Sequence, residues 1–572
     1  MALSDLSLPR CKTVSSICLL AFLLSFCSLV YELLLASLVT KLAGDAIVWE
    51  TVTIGVFIAS LGCGLLLFSL RPPVGQTALL RRLVSVEFWL CLAGGLGSFV
   101  ILGLHLCYRI YVYDLALLRD VLGHGTVVYF GMACQLVVIL IGVLSGFEFP
   151  ILYSLLQTRL KYPAGLVLFF YYLGAFSGTL VFSLVALPHL SLTTIGLLTA
   201  AINLLICFMI AFFSGDKNDG RLIIPCAAAA LTLGVLYQIE PDVEQLHMRN
   251  YYYNKINWRL PLEGDIEMQY PHGLAGLTRY LQKFPAIERH VSSYHNIDIV
   301  EDHESTYHRG VPGSFSIFMD GRFQFSPASD YEYHEYLVHV PIMINQKIPR
   351  RTLILGGGDG LVARELLKYG ELIDEITLID MDQVILRLAR EHPKIRSMNE
   401  DALSDPKVRV IAEDAFAVLQ QRKLAPFDAV FIDFTYPFNY DSARLYSAEF
   451  FALVAHHLKA DGFLAEATPI PFDDFDDVKE LSFMQNMIAA TLRHAGLHSP
   501  LMIKGPSANY LVARRNNFEY RMEYDAHGLT YRHLNPMFFH EGAFRTLKGG
   551  EDDNMVNSLF RPTFWGVEDT FF

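Results

Sequence analysis

No cysteine occurs after Cys226; all nine lie in the first 226 residues. That excludes a disulfide anywhere in the long segment that follows, and it leaves the upstream thiols as small packing residues of apolar segments. Positive charge is also short. Forty-five Lys and Arg stand against 58 Asp and Glu, for a net charge of −13, and no basic stripe runs along the chain, which excludes nucleic acid as a partner. His290, His295, His303 and His308 cluster, but at no compact zinc spacing and with no cysteine nearby, so no metal site is assigned. The run Asp473-Asp474-Phe475-Asp476-Asp477 lacks the glycine and terminal glutamate of a calcium loop and reads as a solvated helix start.

Charge is missing altogether from residues 162–215, and this absence opens onto what the first 240 residues do contain. Seven apolar runs, near 14–40, 51–70, 84–107, 125–147, 164–187, 190–213 and 222–239, approach or exceed the roughly 20 residues that a helix needs to cross a bilayer. The first run is too long for a signal-peptide core and has no convincing cleavage site, so it is read as a retained anchor. Small residues at helix-packing spacing, from Gly174 to Gly178 and at Gly94, Gly95 and Gly97, predict a close-packed bundle. Glu32 and Glu148 lie within or at the rim of these runs. Carboxylates there either fix an interhelical contact, the favoured reading, or line a path for a cation; Glu87 reads as interfacial.

Nine Lys and Arg in the N-terminus and even loops, against three in the odd loops, predict an N-terminus on the inner side of the membrane. Seven crossings then place the remainder of the chain outside. That remainder carries nearly the whole negative excess, because the first 240 residues are almost neutral.

Residues 241–345 begin as an aromatic, irregular linker containing Tyr251, Tyr252 and Tyr253. Over 293–345 they show short alternating strands, a small antiparallel lid. Residues 346–515 alternate strand and helix, with strands at 352–355, 376–380, 408–412 and 427–433 and a helix at 361–369, which predicts a doubly wound parallel sheet. Residues 516–572 form an extension beyond that sheet. The predicted fold is therefore a multi-pass α-helical membrane bundle (1–240) fused to an α/β Rossmann-like, class I methyltransferase-type domain with a small N-terminal β lid.

Ligands of such sheets bind beyond the C-terminal ends of the strands, and here every strand ends at an acid: Asp359, Asp380, Asp414 beside Glu413, and Asp433. The first strand runs into Gly-Gly-Gly-Asp-Gly at 356–360, where glycines let backbone approach a bound nucleotide. Asp359 inside that loop would repel a pyrophosphate, so the ligand is a positively charged nucleoside, and a sulfonium nucleoside of the S-adenosylmethionine kind fits best. Gly356 and Gly358 shape the loop. Asp380, 22 residues after Gly358, is spaced to bind ribose hydroxyls, and Asp414 is placed to accept from an adenine amino group.

In this setting GGGDG at 356–360, LIDMD around Asp380, Glu413-Asp414-Ala415, FDAVFIDFTYP at 427–437, LYSAEFF at 445–451 and FQFSPASDYEYHE at 323–335 occur in order. Together they resemble the spermidine synthases, or polyamine aminopropyltransferases. SLVYELLLA at 28–36, GFEFP at 146–150 and YYLGAFSG at 171–178 resemble the helices of the membrane-fused bacterial branch. The resemblance implies transfer of an aminopropyl group from decarboxylated S-adenosylmethionine, as cosubstrate rather than tightly bound cofactor, to an amine with release of 5′-methylthioadenosine. It implies that Asp359 holds the aminopropyl end, Asp380 the ribose, Asp414 the adenine, and that Asp433 orients and deprotonates the amine. Gln324, Tyr307, His308, His334 and Glu466 join these as binding residues, and Tyr436 joins Asp433 and Asp359 in the catalytic set.

The chain departs from the family pattern where the acceptor binds. Tyr436 stands where a second acid is usual, His308 follows Tyr307 where a glutamine is common, Ser329-Asp330 replaces an acid pair, and Glu466 replaces a glutamine. Two chemistries stay open: transfer to a different amine, or acceptor-free cyclisation or elimination of the donor. A non-enzymatic nucleoside sensor is a third. The expected partners are a small cationic substrate and the lipid bilayer, and homo-oligomer formation is left open. The resemblance implies a bacterial inner membrane, and a metabolic donor implies a cytoplasmic soluble half, against the charge rule.

Overall fold

The computed structural model describes residues 10–43, 46–108, 126–214, 220–254, 278–279, 281–301, 314–421, 424–434, 443–468, 479–547 and 555–561. Tyr307, His308 and Tyr436, with the acidic run at 473–477, lie outside the described residues. The chain divides into two compact units, Met1–Ala286 and Ile287–Phe572.

The first unit is helical: α1 (Arg10–Ala43), α2 (Ala46–Leu70), α3 (Gln76–Cys107), α4 (Thr126–Ser145), α5 (Glu148–Gln157), α6 (Ala164–Val181), α7 (Leu192–Ser214) and α8 (Gly220–Arg249). Seven stretches among the described residues are long and apolar enough to cross a membrane, with mean hydropathy between 1.2 and 2.3, and each coincides with a predicted run. The chain leaves helical geometry just after Pro188, where Leu190 takes φ −129° and ψ 150°. The expected small-residue contacts form. A Cβ on Gly174 would lie 2.1 Å from the Phe22 carbonyl oxygen, and one on Gly178 2.9 Å from that of Phe26, so α1 and α6 meet backbone to backbone.

Carboxylates enter this apolar packing. Ser28 of α1 donates to Glu148 of α5 at 3.2 Å. Glu87, read from sequence as interfacial, is completely buried on α3, and neither of its oxygens has a partner among the described residues. A helical-wheel position was not legible there, because α3 is apolar all round.

The second unit opens with an antiparallel sheet in the order β1 (Glu288–Val291), β2 (Asn296–Glu301), β3 (Phe315–Met319) and β4 (Arg322–Phe325). The strand reading of 293–345 then fails at its end: Asp330–Asn345 is a helix, α9. Pro341 and the β-prone Tyr, Val and Ile of DYEYHEYLVHVPIMIN argued against a helix, but tertiary burial of nearly every residue overrides that propensity.

Next come β5 (Arg351–Gly356), α10 (Leu361–Leu367), β6 (Glu375–Ile379), α11 (Gln383–Glu391), α12 (Pro393–Met398), β7 (Val408–Ile411), α13 (Ala415–Gln421), β8 (Phe427–Asp433), α14 (Ala448–His457), β9 (Leu458–Ala467), α15 (Lys479–His494), β10 (His498–Lys504), β11 (Asn509–Arg514) and β12 (Phe544–Thr546). The eight strands order as β12-β10-β11-β9-β8-β5-β6-β7. The five from β9 to β7 are parallel, and β11 enters antiparallel to β9. Both faces are covered, which explains the unbroken apolar runs of the strands. Ile354, Phe431 and Ala465 pack on one face, and Leu355, Ile432 and Leu464 on the other.

The extension does not lie beyond the sheet, as the sequence suggested. Its β12 pairs with β10 as an edge strand, and the backbone N–H groups of Arg532, His533 and Leu534 all donate to the buried carboxylate of Glu335 on α9, at 2.7–2.9 Å. Three-residue strands at an edge carry almost no hydrophobic pattern, so this pairing had no local signal.

Candidate active site

Strand order reverses between β5 and β8, with β6 and β7 on one side and β8 and β9 on the other, so the crevice of this sheet opens at the ends of β5 and β8. Gly356 pairs with Asp433 across that seam. Gly356 takes φ 78°, and a Cβ there would come within 2.2 Å of the Asp433 carbonyl oxygen. Only glycine tolerates both demands. Gly358 is restricted by contact alone, since its Cβ would lie 2.6 Å from Asp380 Oδ2. The loop thus sets Asp359 at the start of α10, where its Oδ1 accepts the N–H of Leu361 at 2.9 Å.

Asp380 ends β6 with its carboxylate already oriented: Oδ2 accepts from Gly358 N–H at 2.9 Å and Oδ1 from Asp382 N–H at 2.8 Å. Burial raises it to about 6, against the lowering effect of these two donors. Asp359 is raised to about 7, first by desolvation and then by the charge of Asp433, with His334 and the Leu361 N–H pulling the other way.

Asp433 meets α9. Tyr333 donates its hydroxyl to Asp433 Oδ1 at 2.9 Å, and His334 Nε2 lies 3.8 Å from Asp433 Oδ2. Ligating atoms of His334, Asp359 and Asp433 all fall within 4.8 Å of one another. Burial opposes charge on His334, but Asp330, Asp433 and Asp359 outweigh it and raise the imidazole to about 10. With Nδ1 engaged by the Asp330 carbonyl, Nε2 is the ring nitrogen that faces the Asp433 carboxylate.

The backing of α9 is specific. Arg364 grips Asp330 through both terminal nitrogens, at 2.7 and 3.1 Å, and Tyr510 of β11 donates to the Tyr333 carbonyl at 2.9 Å. Asp330, noted in the sequence with Ser329 as a departure, is therefore part of a buried ion pair. Tyr333, Tyr510 and Arg364 were missed from sequence. Tyr333 lay inside a quoted motif, and the signal that could have found it was the adjacent His334 on a segment with enough apolar residues for a buried helix.

The other predicted residues separate into two groups. Asp414 follows β7, where its Oδ1 accepts from Phe416 N–H and its Oδ2 pairs with Arg444 at 2.8 Å. Gln324 turns its amide back to the Arg322 carbonyl at 3.3 Å on β4. No hydrogen bond or ion pair among the described residues joins either one to the Asp359 cluster. Glu466 sits on β9 opposite Ile432 of β8; it is 1% exposed, both its oxygens lack partners among the described residues, and burial raises it to about 8.

With this geometry in place, three comparisons can be read. Residues 330–483 match the family described as the spermine/spermidine synthase domain. The chain is 30% identical over 504 residues to polyamine aminopropyltransferase 2 of Streptomyces coelicolor, covering 86% of this chain and 78% of that one. It is 29% identical over 445 residues to the polyamine aminopropyltransferase of Oceanobacillus iheyensis, covering 77% and 75%. Both alignments are longer than the second unit, so the likeness extends into the helical unit. Among solved structures, the spermidine synthase from Thermotoga maritima is similar at a TM-score of 0.33 and 24% identity, covering 40% of this chain and 73% of that chain.

Proposed function

The chain belongs to the polyamine aminopropyltransferase family, and from that premise we propose that it is a membrane-held enzyme moving an aminopropyl group from decarboxylated S-adenosylmethionine to an amine, with release of 5′-methylthioadenosine. The observation that carries this reading is the convergence of Asp359 and Asp433 at the seam of β5 and β8, within 4.8 Å of each other and of His334. Two carboxylates there attract a sulfonium and an ammonium. The carboxylate of ordinary S-adenosylmethionine would enter the same field and be repelled, at about 4 kcal/mol for a like-charge pair 4 Å apart near a protein surface.

Each remaining acid keeps spare acceptor capacity for the donor. Asp380 uses one lone pair per oxygen on backbone N–H groups and has others for ribose hydroxyls. Asp414 keeps lone pairs beside its Phe416 and Arg444 bonds for an adenine amino group. Asp433, held by Tyr333, orients the attacking amine and draws off its proton, so that the lone pair points at the carbon beside sulfur. Seven apolar helices support the membrane placement. The acceptor is an amine bound without the usual second acid, since position 436 is tyrosine.

The test is to incubate the purified full-length protein with decarboxylated S-adenosylmethionine, with and without putrescine or spermidine, and to follow methylthioadenosine by mass spectrometry. Release that requires an amine, with a new polyamine mass, is expected. Release without amine would replace transfer by cyclisation or elimination, and no release with any amine would reject the enzyme reading.

A further inference from the structure

Among the described residues His334 is the one basic side chain that pairs with Asp433, and Asp359 lies within 4.8 Å of both. The histidine is 2% exposed, and its Nδ1 lies 2.8 Å from the backbone oxygen of Asp330. A carbonyl can only accept, so Nδ1 carries a hydrogen in either protonation state. The nitrogen that gains or loses a proton is therefore Nε2, which faces Asp433 at 3.8 Å. The groups around the ring are few. Asp330 lies on its own helix, with its charge matched by Arg364 of α10; Tyr333 is its neighbour at 4.8 Å between ring centres; Asp433 comes from β8 and Asp359 from the loop after β5.

We propose that His334 is a proton carrier of the transfer reaction: in the empty site its imidazolium occupies the place of the donor's cations, it loses the Nε2 proton as the donor binds, and the bare nitrogen then receives, by way of Asp433, the proton of the acceptor ammonium. This rests on the donor reading above and deepens it. The empty site favours the charged ring, consistent with the rise to about 10. A donor cation at about 4 Å competes for the same carboxylates and repels the ring, lowering its proton affinity roughly a thousandfold at an effective dielectric near 20. Starting from about 10, that fall leaves the ring about half protonated at pH 7 and mostly neutral above it.

The step balances. The acceptor ammonium gives a proton to Asp433, which passes it to Nε2, and the freed lone pair forms the nitrogen–carbon bond at the carbon beside sulfur. The carbon–sulfur bond breaks with its electron pair left on sulfur, giving a neutral thioether, and the new nitrogen keeps the positive charge as a secondary ammonium. Total charge is conserved. As the sulfonium charge disappears the imidazolium returns, which restores the empty-site arrangement.

Calorimetry of the full-length protein near pH 7.5, in buffers of differing ionisation enthalpy, counts the protons. Decarboxylated S-adenosylmethionine should release about one proton per donor bound, and methylthioadenosine, which is neutral, none. His334→Gln should bind donor with no release, and its turnover should fall tenfold or more near pH 7 yet recover at alkaline pH, where free amine is present. Donor binding without proton release in the wild-type protein overturns the proposal and leaves the donor reading standing. Equal release with methylthioadenosine, or a loss in the variant that is the same at every pH, overturns it as well. No binding heat with the donor would reject the donor reading, and this proposal with it.

Discussion

Both units of this protein bury carboxylates, and they treat them differently. At the rim of the α/β sheet each buried or half-buried acid is met by something: Asp380 by two backbone N–H groups, Asp433 by Tyr333 and His334, Asp330 by Arg364. In the helical unit, among the described residues, Glu148 is met by the hydroxyl of Ser28 and Glu87 by nothing. Sheets and loops present free backbone donors at their rims, whereas a helix spends its N–H groups internally. An acid inside a helical bundle therefore depends on side chains alone. Glu466 is the exception that tests this contrast, because it is an unpartnered acid within the sheet.

The comparison predicts a graded series of effects. Asp433→Asn should lower turnover about 10²–10⁴-fold, the range for a lost proton-accepting group, with thermal stability preserved; methylthioadenosine release checks the first and a melting curve the second. An active variant would show that the rim acids are structural.

Asp330→Asn comes next. It removes one of the two buried carboxylates that Arg364 contacts, Glu365 being the other, and breaking such a pair costs up to about 3–5 kcal/mol, visible as a drop in melting temperature. A change below about 1 kcal/mol would mean that the α9 support lies elsewhere, for instance in the docking of Arg532–Leu534 on Glu335.

Glu466→Gln should act in the opposite direction and only at one end of the pH range. The folded protein holds Glu466 at about 8, above its ordinary value. Its contribution to stability is therefore full below about 4.5 and is lost as pH rises through 8. The variant should match the parent at acid pH and exceed it above pH 8 by on the order of 2–4 kcal/mol; stability curves that stay parallel across the range would show that the carboxylate has found a partner.

Glu87→Gln should have the smallest effect, within about 1 kcal/mol of the parent, since it removes no ion pair or hydrogen bond. A strong loss in the detergent-solubilised protein would instead reveal a bound countercharge in the bundle.

Much of the architecture was legible because it is carried by single segments. An apolar run of some 20 residues announces its own length, and β5, β6 and β8 announce themselves as short apolar stretches that end in an acid. The glycine loop was readable for the same reason, since Gly356 and Gly358 answer to steric demands that no other residue meets. Long-range pairings were not. The sequence assigned the adenine to Asp414 but carried no sign that Arg444, 30 residues on, would take one of its oxygens. It marked His334 as a binding residue, yet the strand reading of its segment concealed the helix that sets Tyr333 and His334 against Asp433, 100 residues away for Tyr333.

By itself, then, the order of residues determined which side chains stand at the ends of which strands, and that seven stretches are apolar over a bilayer's thickness, because periodicity and steric exclusion act within a few residues. Tertiary structure alone decided which of those acids share a field, which are neutralised by an arginine or an imidazole, and that the final strand closes the edge of the sheet. Charge interactions and edge pairing join residues distant in sequence, and their sign and strength depend on the separation and burial that folding creates.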